Sequence, residues 1–189
     1  MADYNQAYKI TMINEGGYAD NPNDHGGKTY MGISYVNNPD WAGWARVNNI
    51  VENNPDNYQH VLAADTLLQT QVRNFYKPDY WDCLQLDSVN CQQIANQLFD
   101  ASVNNGQHVA AILFQTGVNQ FTNGSFKVDG IIGSLSVRAI NNISNNEQLY
   151  NAINSLRSLY YRAICIFDRS RLESLTGWLN RLIPFNAPS

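Results

Sequence analysis

Glu15-Gly16-Gly17-Tyr18, running on to Asp24-His25-Gly26-Gly27-Lys28-Thr29, constrains this chain more than any other stretch. Asp3 and Gln6 have the spacing of a capping box, and Tyr4, Ala7, Tyr8, Thr11 and Glu15 lie along one stripe of a helix. That helix is expected to stop at Gly16-Gly17, where left-handed backbone geometry costs little. Glu15 then stands at the end of a rigid element, facing the loop that follows. Asp24 comes nine positions later and Thr29 five after that, with glycines on either side. A backbone of this kind turns sharply and leaves room for a bulky ligand.

The remainder reads as mainly α with a small, irregular β-hairpin within residues 18–36. Asp40 is placed to cap a short helix carrying Trp41, Trp44 and Val47, and residues 48–57 read as a polar loop. Asp65 caps the next helix, with Leu68, Val72, Phe75 and Tyr76 on one face and Lys77-Pro78 closing it. A helix from Ser88 or Asn90 to Val103 ends at Asn105-Gly106, and residues 108–118 read as a buried helix. After a turn region at 119–133, a helix starts at Ser134. Asn145 with Gln148 opens a long helix to about residue 169, with Leu149, Ile153, Leu156, Tyr160 and Ile164 as its apolar stripe. A last helix holds Leu175, Trp178, Leu179 and Leu182. A soft boundary near residue 87 divides the chain into 1–87 and 88–189.

Length and composition set limits. At 189 residues, 44% hydrophobic and 15% charged, the chain can bury a core without staples. Its formal net charge of -4, without a lysine or arginine run, argues against a sequence-independent nucleic-acid partner. Cys83, Cys91 and Cys165 match no zinc spacing, and His25, His60 and His108 form no cluster, so neither metal nor cofactor is expected. Free thiols fit synthesis in a reducing cytoplasm. No secretory signal is visible, and no window approaches the roughly 18 apolar residues of a membrane span. A monomer is the default expectation.

Two carboxylates and a hydroxyl on a glycine-rich loop suit hydrolysis of a glycosidic bond. The block resembles glycoside hydrolase family 108, the lysozyme-like N-acetylmuramidases found as phage endolysins and in bacterial genomes. The likeness continues through Gly32-Ile33, Tyr80-Trp81, Leu98-Phe99-Asp100 with Val103-Asn104 and Gly106, Val128-Asp129-Gly130 with Gly133, and Gly177-Trp178-Leu179-Asn180-Arg181. It therefore covers nearly the whole chain and implies a lysozyme-like helical fold. It also implies lysis of bacterial cell walls, with peptidoglycan glycan strands as the partner and a peptidoglycan-binding region after residue 87. A wall enzyme made in the cytoplasm without a signal reaches its substrate through a holin pore or a secretion machine.

Cleaving the β-1,4 bond between N-acetylmuramic acid and N-acetylglucosamine needs a proton on the departing oxygen. A glutamic acid supplies it when partial burial raises its pKa toward the working pH. Glu15, beside aromatic neighbours such as Tyr18, is the candidate acid. Asp24 is the candidate second carboxylate, ahead of Asp20, and Thr29 the residue that helps hold a water. Phage-type lysozymes have a similar Glu, Asp and Thr arrangement, with the hydroxyl one position further along. Tyr18, Tyr80, Trp81 and Asn104 are the candidate substrate contacts. Arg181 is a candidate for steadying the active-site carboxylates, with a salt bridge or carbonyl cap as its structural alternative. A lytic transglycosylase and an inactive wall-binding protein are the alternative readings.

Overall fold

The first helix, α1 (Tyr4–Met12), buries Tyr4, Ala7, Tyr8, Thr11 and Met12, the i, i+3, i+4, i+7 spacing of a one-faced helix. Asp3 accepts a hydrogen bond from the Asn5 amide at 2.8 Å. The reciprocal half of the expected capping box comes from elsewhere: the Asp3 amide donates to Gln92 Oε1 at 2.6 Å, not to Gln6. The computed structural model describes residues 1–20, 27–124 and 126–186. It is mainly α-helical with one small antiparallel sheet. Contacts divide it into two compact units, Tyr8–Asp79 and Met1–Ala7 with Tyr80–Ser189.

In the unit Tyr8–Asp79, β1 (Tyr18–Ala19), β2 (Thr29–Tyr30) and β3 (Ile33–Ser34) pair in the order β1-β2-β3. The hairpin expected from sequence is thus a three-stranded sheet of very short strands. Tyr30 pairs with Ile33 across a two-residue turn, Met31-Gly32, with φ of 45° and 79°. Two positive φ values in such a loop match the twist of the flanking strands. Three helices follow: α2 (Gly43–Asn53), α3 (Tyr58–Ala64) and α4 (Thr66–Tyr76). Helix α2 extends through residues expected to be loop, because buried Ile50 continues the stripe of Trp44 and Val47. Asp65 caps α4 as expected, accepting from the Leu68 amide at 2.8 Å. The α-helix closes at Lys77-Pro78 as expected, with Lys77 as its C-cap, and a π-type turn over Lys77–Trp81 follows it.

The other unit is built on α5 (Gln92–Asn105), α6 (Gln107–Asn119), α7 (Ser134–Asn141), α8 (Asn146–Phe167) and α9 (Leu172–Asn180). Gly117 lets α6 and α8 approach closely, since a Cβ there would stand 2.7 Å from Ile153. The Asn145 side chain caps α8 by accepting from the Gln148 amide at 2.9 Å. The buried stripe of α8 departs from the expected one: it runs Leu149, Ile153, Arg157, Tyr161, Cys165, with a cation in the core.

That cation explains two of the sequence motifs. Arg157, 1% exposed, donates to Asp100 Oδ2 at 2.6 Å and to the Tyr161 hydroxyl at 2.9 Å. Arg181 meets the same carboxylate, Nη2 to Oδ1 at 2.8 Å. Asp100 therefore pairs with two buried guanidiniums, and its removal strands both. Asp100→Ala is expected to cost about 3–5 kcal/mol of stability, read as a lower urea midpoint of the helical signal at unchanged slope.

Candidate active site

Helix α1 ends at Met12, three residues before Glu15, and the chain then tightens. Asn14 and Glu15 donate their amides to Thr11 and Met12 carbonyls at 3.0 and 3.2 Å, and Gly16 turns the backbone at φ +66°. Glu15 consequently sits in a turn, not on the helix, and is half-buried. Its carboxylate reaches across to the β2–β3 turn. A Cβ added to Gly32 would lie 2.5 Å from Glu15 Oε2 and 2.6 Å from the Tyr76 hydroxyl. Tyr76, from the end of α4, donates that hydroxyl to the Met31 carbonyl at 2.7 Å. One bare α-carbon thus brings together an acid, a phenol and a turn. From sequence, Tyr76 is one of the residues on the apolar face of its helix and Gly32 only part of a motif.

The strand after Glu15 is held by a side chain imitating a peptide. Gln59, on α3, accepts from the Tyr18 amide at 3.1 Å and donates to the Tyr18 carbonyl at 2.6 Å. The Gly17 carbonyl accepts from the Met31 amide at 3.3 Å. Between these elements lies a cleft of about 330 Å³, lined by Gly16, Gly17, Tyr30, Met31, Gln59 and Gln69. On one wall Gln69 donates to the Tyr30 hydroxyl and to the Leu62 carbonyl at 2.8 and 3.1 Å. Tyr30 stacks on Trp41 with 6.5 Å between centroids, and Trp41 meets Trp44 edge-on, so that wall is braced from behind. The cleft has amide groups on a rigid aromatic backing.

Thr29 lies in β2, paired with Ala19 and Ser34, and is half-buried; the next residue, Tyr30, points its ring into the core. Tyr18 is half-buried against Tyr58 and donates its hydroxyl to Asp20 Oδ2 at 3.3 Å. Burial first, and then the Asp20 charge, push the Tyr18 phenol up from its usual range, so it remains a donor. Asp24 and His25 lie outside the described residues.

The other candidates belong to the second unit. Trp81 is fully buried, edge-on to Tyr4 and Phe99, with its indole N–H donated to Asp87 at 2.8 Å. No face of that ring is open to a sugar, so the structure makes it a core residue. Tyr80 is half-buried and its carbonyl accepts from Ser102 at 3.2 Å. The Asn104 amide donates to the Tyr161 hydroxyl at 3.1 Å, which ties it to the Asp100–Arg157 network. Arg181 pairs with Asp100, Nη2 to Oδ1 at 2.8 Å and Nε to Oδ1 at 3.1 Å. Among the described residues no group of three or more His, Cys, Asp or Glu could hold a metal, and no helix is long and apolar enough to cross a membrane.

Residues 8–106 match the family described as "Glycosyl hydrolase 108" and residues 109–183 the "Predicted Peptidoglycan domain". No match was found among curated proteins. Of solved structures, the chain is similar to the one titled "Structure of Brucella abortus SagA", at 20% identity and a TM-score of 0.62. That match covers 98% of this chain and 97% of the other, and at this identity it speaks for the fold.

The approach at Gly32 can be tested directly. Gly32→Ala puts a methyl where the Glu15 carboxylate and Tyr76 hydroxyl now lie, at a φ that alanine resists at a cost of about 1–2 kcal/mol. The carboxylate, being the flexible partner, moves. The variant is expected to keep its far-UV spectrum and to lose at least about tenfold of its glycan-cleaving rate, roughly 1.4 kcal/mol of transition-state stabilisation.

Proposed function

The chain belongs to the glycosyl hydrolase 108 family, a glycoside hydrolase directed at peptidoglycan, and from that premise we propose that it is an N-acetylmuramidase with Glu15 as general acid. The bond is the β-1,4 link between N-acetylmuramic acid and N-acetylglucosamine. The observation that carries this reading is the half-buried Glu15 carboxylate, held against the Met31-Gly32 turn beside a polar cleft. A proton passes from Glu15 to the glycosidic oxygen as the bond to the anomeric carbon breaks and positive charge develops on the ring. Asp24 is the second carboxylate, stabilising that charge or orienting the attacking water, and Thr29 helps hold the water. The Asp20 carboxylate accepts the Tyr18 hydroxyl hydrogen bond, which favours Asp24 for this role.

Gln59 and Gln69, whose amides already hold Tyr18 and Tyr30, line the cleft together with Gly16, Gly17 and Met31, and this polar lining supports recognition of N-acetyl groups. Tyr18, and more weakly Tyr80, are retained as sugar contacts. Asn104 and Trp81 are better explained by the hydrogen bonds and packing they already make. In this reading the protein acts as a monomer, on the wall or in the periplasm, as an endolysin released through a holin or by a secretion machine.

Digestion of purified peptidoglycan, with borohydride reduction and mass spectrometry of the products, tests the assignment. Wild type is expected to give muramitol ends, and Glu15→Gln to be slower by about 10²- to 10⁴-fold with its fold intact. Anhydromuramic ends would move the chain to the lytic transglycosylases, and a fully active Glu15→Gln would remove Glu15 from the chemistry. In the same assay Asp24→Asn is expected to lose most of the activity and Asp20→Asn to retain it. The reverse pattern would exchange their roles.

A further inference from the structure

A cavity of about 650 Å³ lies away from Glu15's neighbourhood in sequence, in the region 109–183. One wall is the Asp129-Gly130-Ile131 turn, held in shape chiefly by the buried Gln115, with Ser136 also donating to the Ile131 carbonyl at 3.3 Å. Gln115, 2% exposed, donates to Asp129 Oδ1 at 2.9 Å and to the Ile131 carbonyl at 3.0 Å. Its own oxygen accepts from the Asp129 and Gly130 amides at 3.0 and 2.8 Å. Gly130, at φ +73°, has no room for a Cβ because the His108 ring packs against it. The opposite wall is α7, which begins at Ser134 without a side-chain cap. The turn read from sequence as an ordinary entry into a helix is therefore one side of a preformed cleft.

The lining has two chemistries. Ile131 and Leu135, both 68% exposed, and Phe126 provide apolar surface. Lys127 and Arg138 provide two exposed cations on a chain whose net charge is -4. Arg138 has no ion-pair partner among the described residues, and Lys127 meets only Asp129, at 3.5 Å and 83% exposed, a pairing worth little in water. Hydrogen bonds from Gln115 and from the Ile131 amide hold the Asp129 carboxyl below its usual range, so this charge is already engaged by the turn. Among the described residues no tyrosine or tryptophan lines the cleft to serve as a platform for a sugar ring.

We infer that this cleft binds the stem peptide of peptidoglycan rather than its glycan. This rests on the reading of the chain as a peptidoglycan hydrolase. A stem peptide is short, carries free carboxylates and presents alanine methyl groups. Arg138 and Lys127 meet the carboxylates, Arg138 as a planar fork. Ile131, Leu135 and Phe126 meet the methyl groups, and the volume suits a ligand of that size. The second unit then holds the enzyme to the peptides of the wall while the glycan is cut elsewhere in the chain. Because Gln115 fixes the wall beforehand, little ordering is required on binding.

Calorimetric titration of the full chain carrying Glu15→Gln tests this without turnover. The probes are the free tetrapeptide L-alanyl-γ-D-glutamyl-diaminopimelyl-D-alanine and the peptide-free disaccharide of N-acetylglucosamine and N-acetylmuramic acid. The tetrapeptide is expected to bind and to weaken as salt is raised. Lys127→Glu with Arg138→Glu is expected to lower its affinity at least tenfold and to leave disaccharide binding unchanged. Leu135→Ser is expected to weaken the tetrapeptide with no change in its salt dependence. Absence of tetrapeptide binding, indifference to the double charge reversal, or equal affinity for the all-L, α-linked peptide of the same composition overturns the site. A failure of the Glu15 assignment is seen separately, as cleavage of peptide-free glycan by Glu15→Gln, and leaves these binding results standing.

Discussion

Around Glu15, the arrangement depends on an α-carbon that carries no side chain. Gly32 occupies the second position of a two-residue hairpin turn with positive φ, and the Glu15 carboxylate and Tyr76 hydroxyl occupy the space that a Cβ would take. The two requirements coincide at one residue. The turn needs the left-handed conformation to reverse the chain between Tyr30 and Ile33, and the acid needs the close approach. The Tyr76 bond to the Met31 carbonyl fixes the turn to α4, so the acid is held against a braced surface even though it lies on a turn itself.

The unit that contains α5 to α9 rests on a different constraint, the pairing of charges buried in a core. Asp100 is 7% exposed and faces two guanidiniums, Arg157 and Arg181, whose other neighbours include Tyr161. Such a cluster adds less stability than its short distances suggest, because three charges leave water to form it. It does fix which face of α8 is buried, since the core-facing stripe must present Arg157 to Asp100. The same logic on a smaller scale governs the Asp129-Gly130 turn, where one buried amide, Gln115, satisfies four backbone and side-chain groups. Both sites use polar groups in the interior to set geometry.

Where sequence reading succeeded, the signal was local. The caps at Asp65 and Asn145, the stop at Asn105-Gly106 and the start of α7 each follow from a few consecutive residues. Where it failed, the deciding partner was distant. Gln92 replaces Gln6 at the start of α1, Ile50 carries α2 through a stretch polar enough to read as loop, and Trp81 is enclosed by Tyr4 and Phe99. Glu15 illustrates both cases. Its closeness to the end of the first helix was legible, but it was expected on the helix, which ends at Met12, and the tighter turn that follows aims the side chain.

Sequence alone determined the mainly helical character, the small sheet after Gly16-Gly17, and the placement of a glutamate at the entrance to a glycine-rich stretch. Hydrophobic period, capping residues and glycine act over a few positions, and their effects can be read without knowing the rest of the chain. Tertiary structure decided that Tyr76 joins Glu15 at Gly32 and that Arg157 is a core residue. It also decided that Arg181 answers Asp100 and that Asn104 turns inward to Tyr161. Each of these depends on burial of a polar or charged group. Such burial is tolerable only when a partner far away in sequence arrives at hydrogen-bond distance, and a linear string does not record who that partner is.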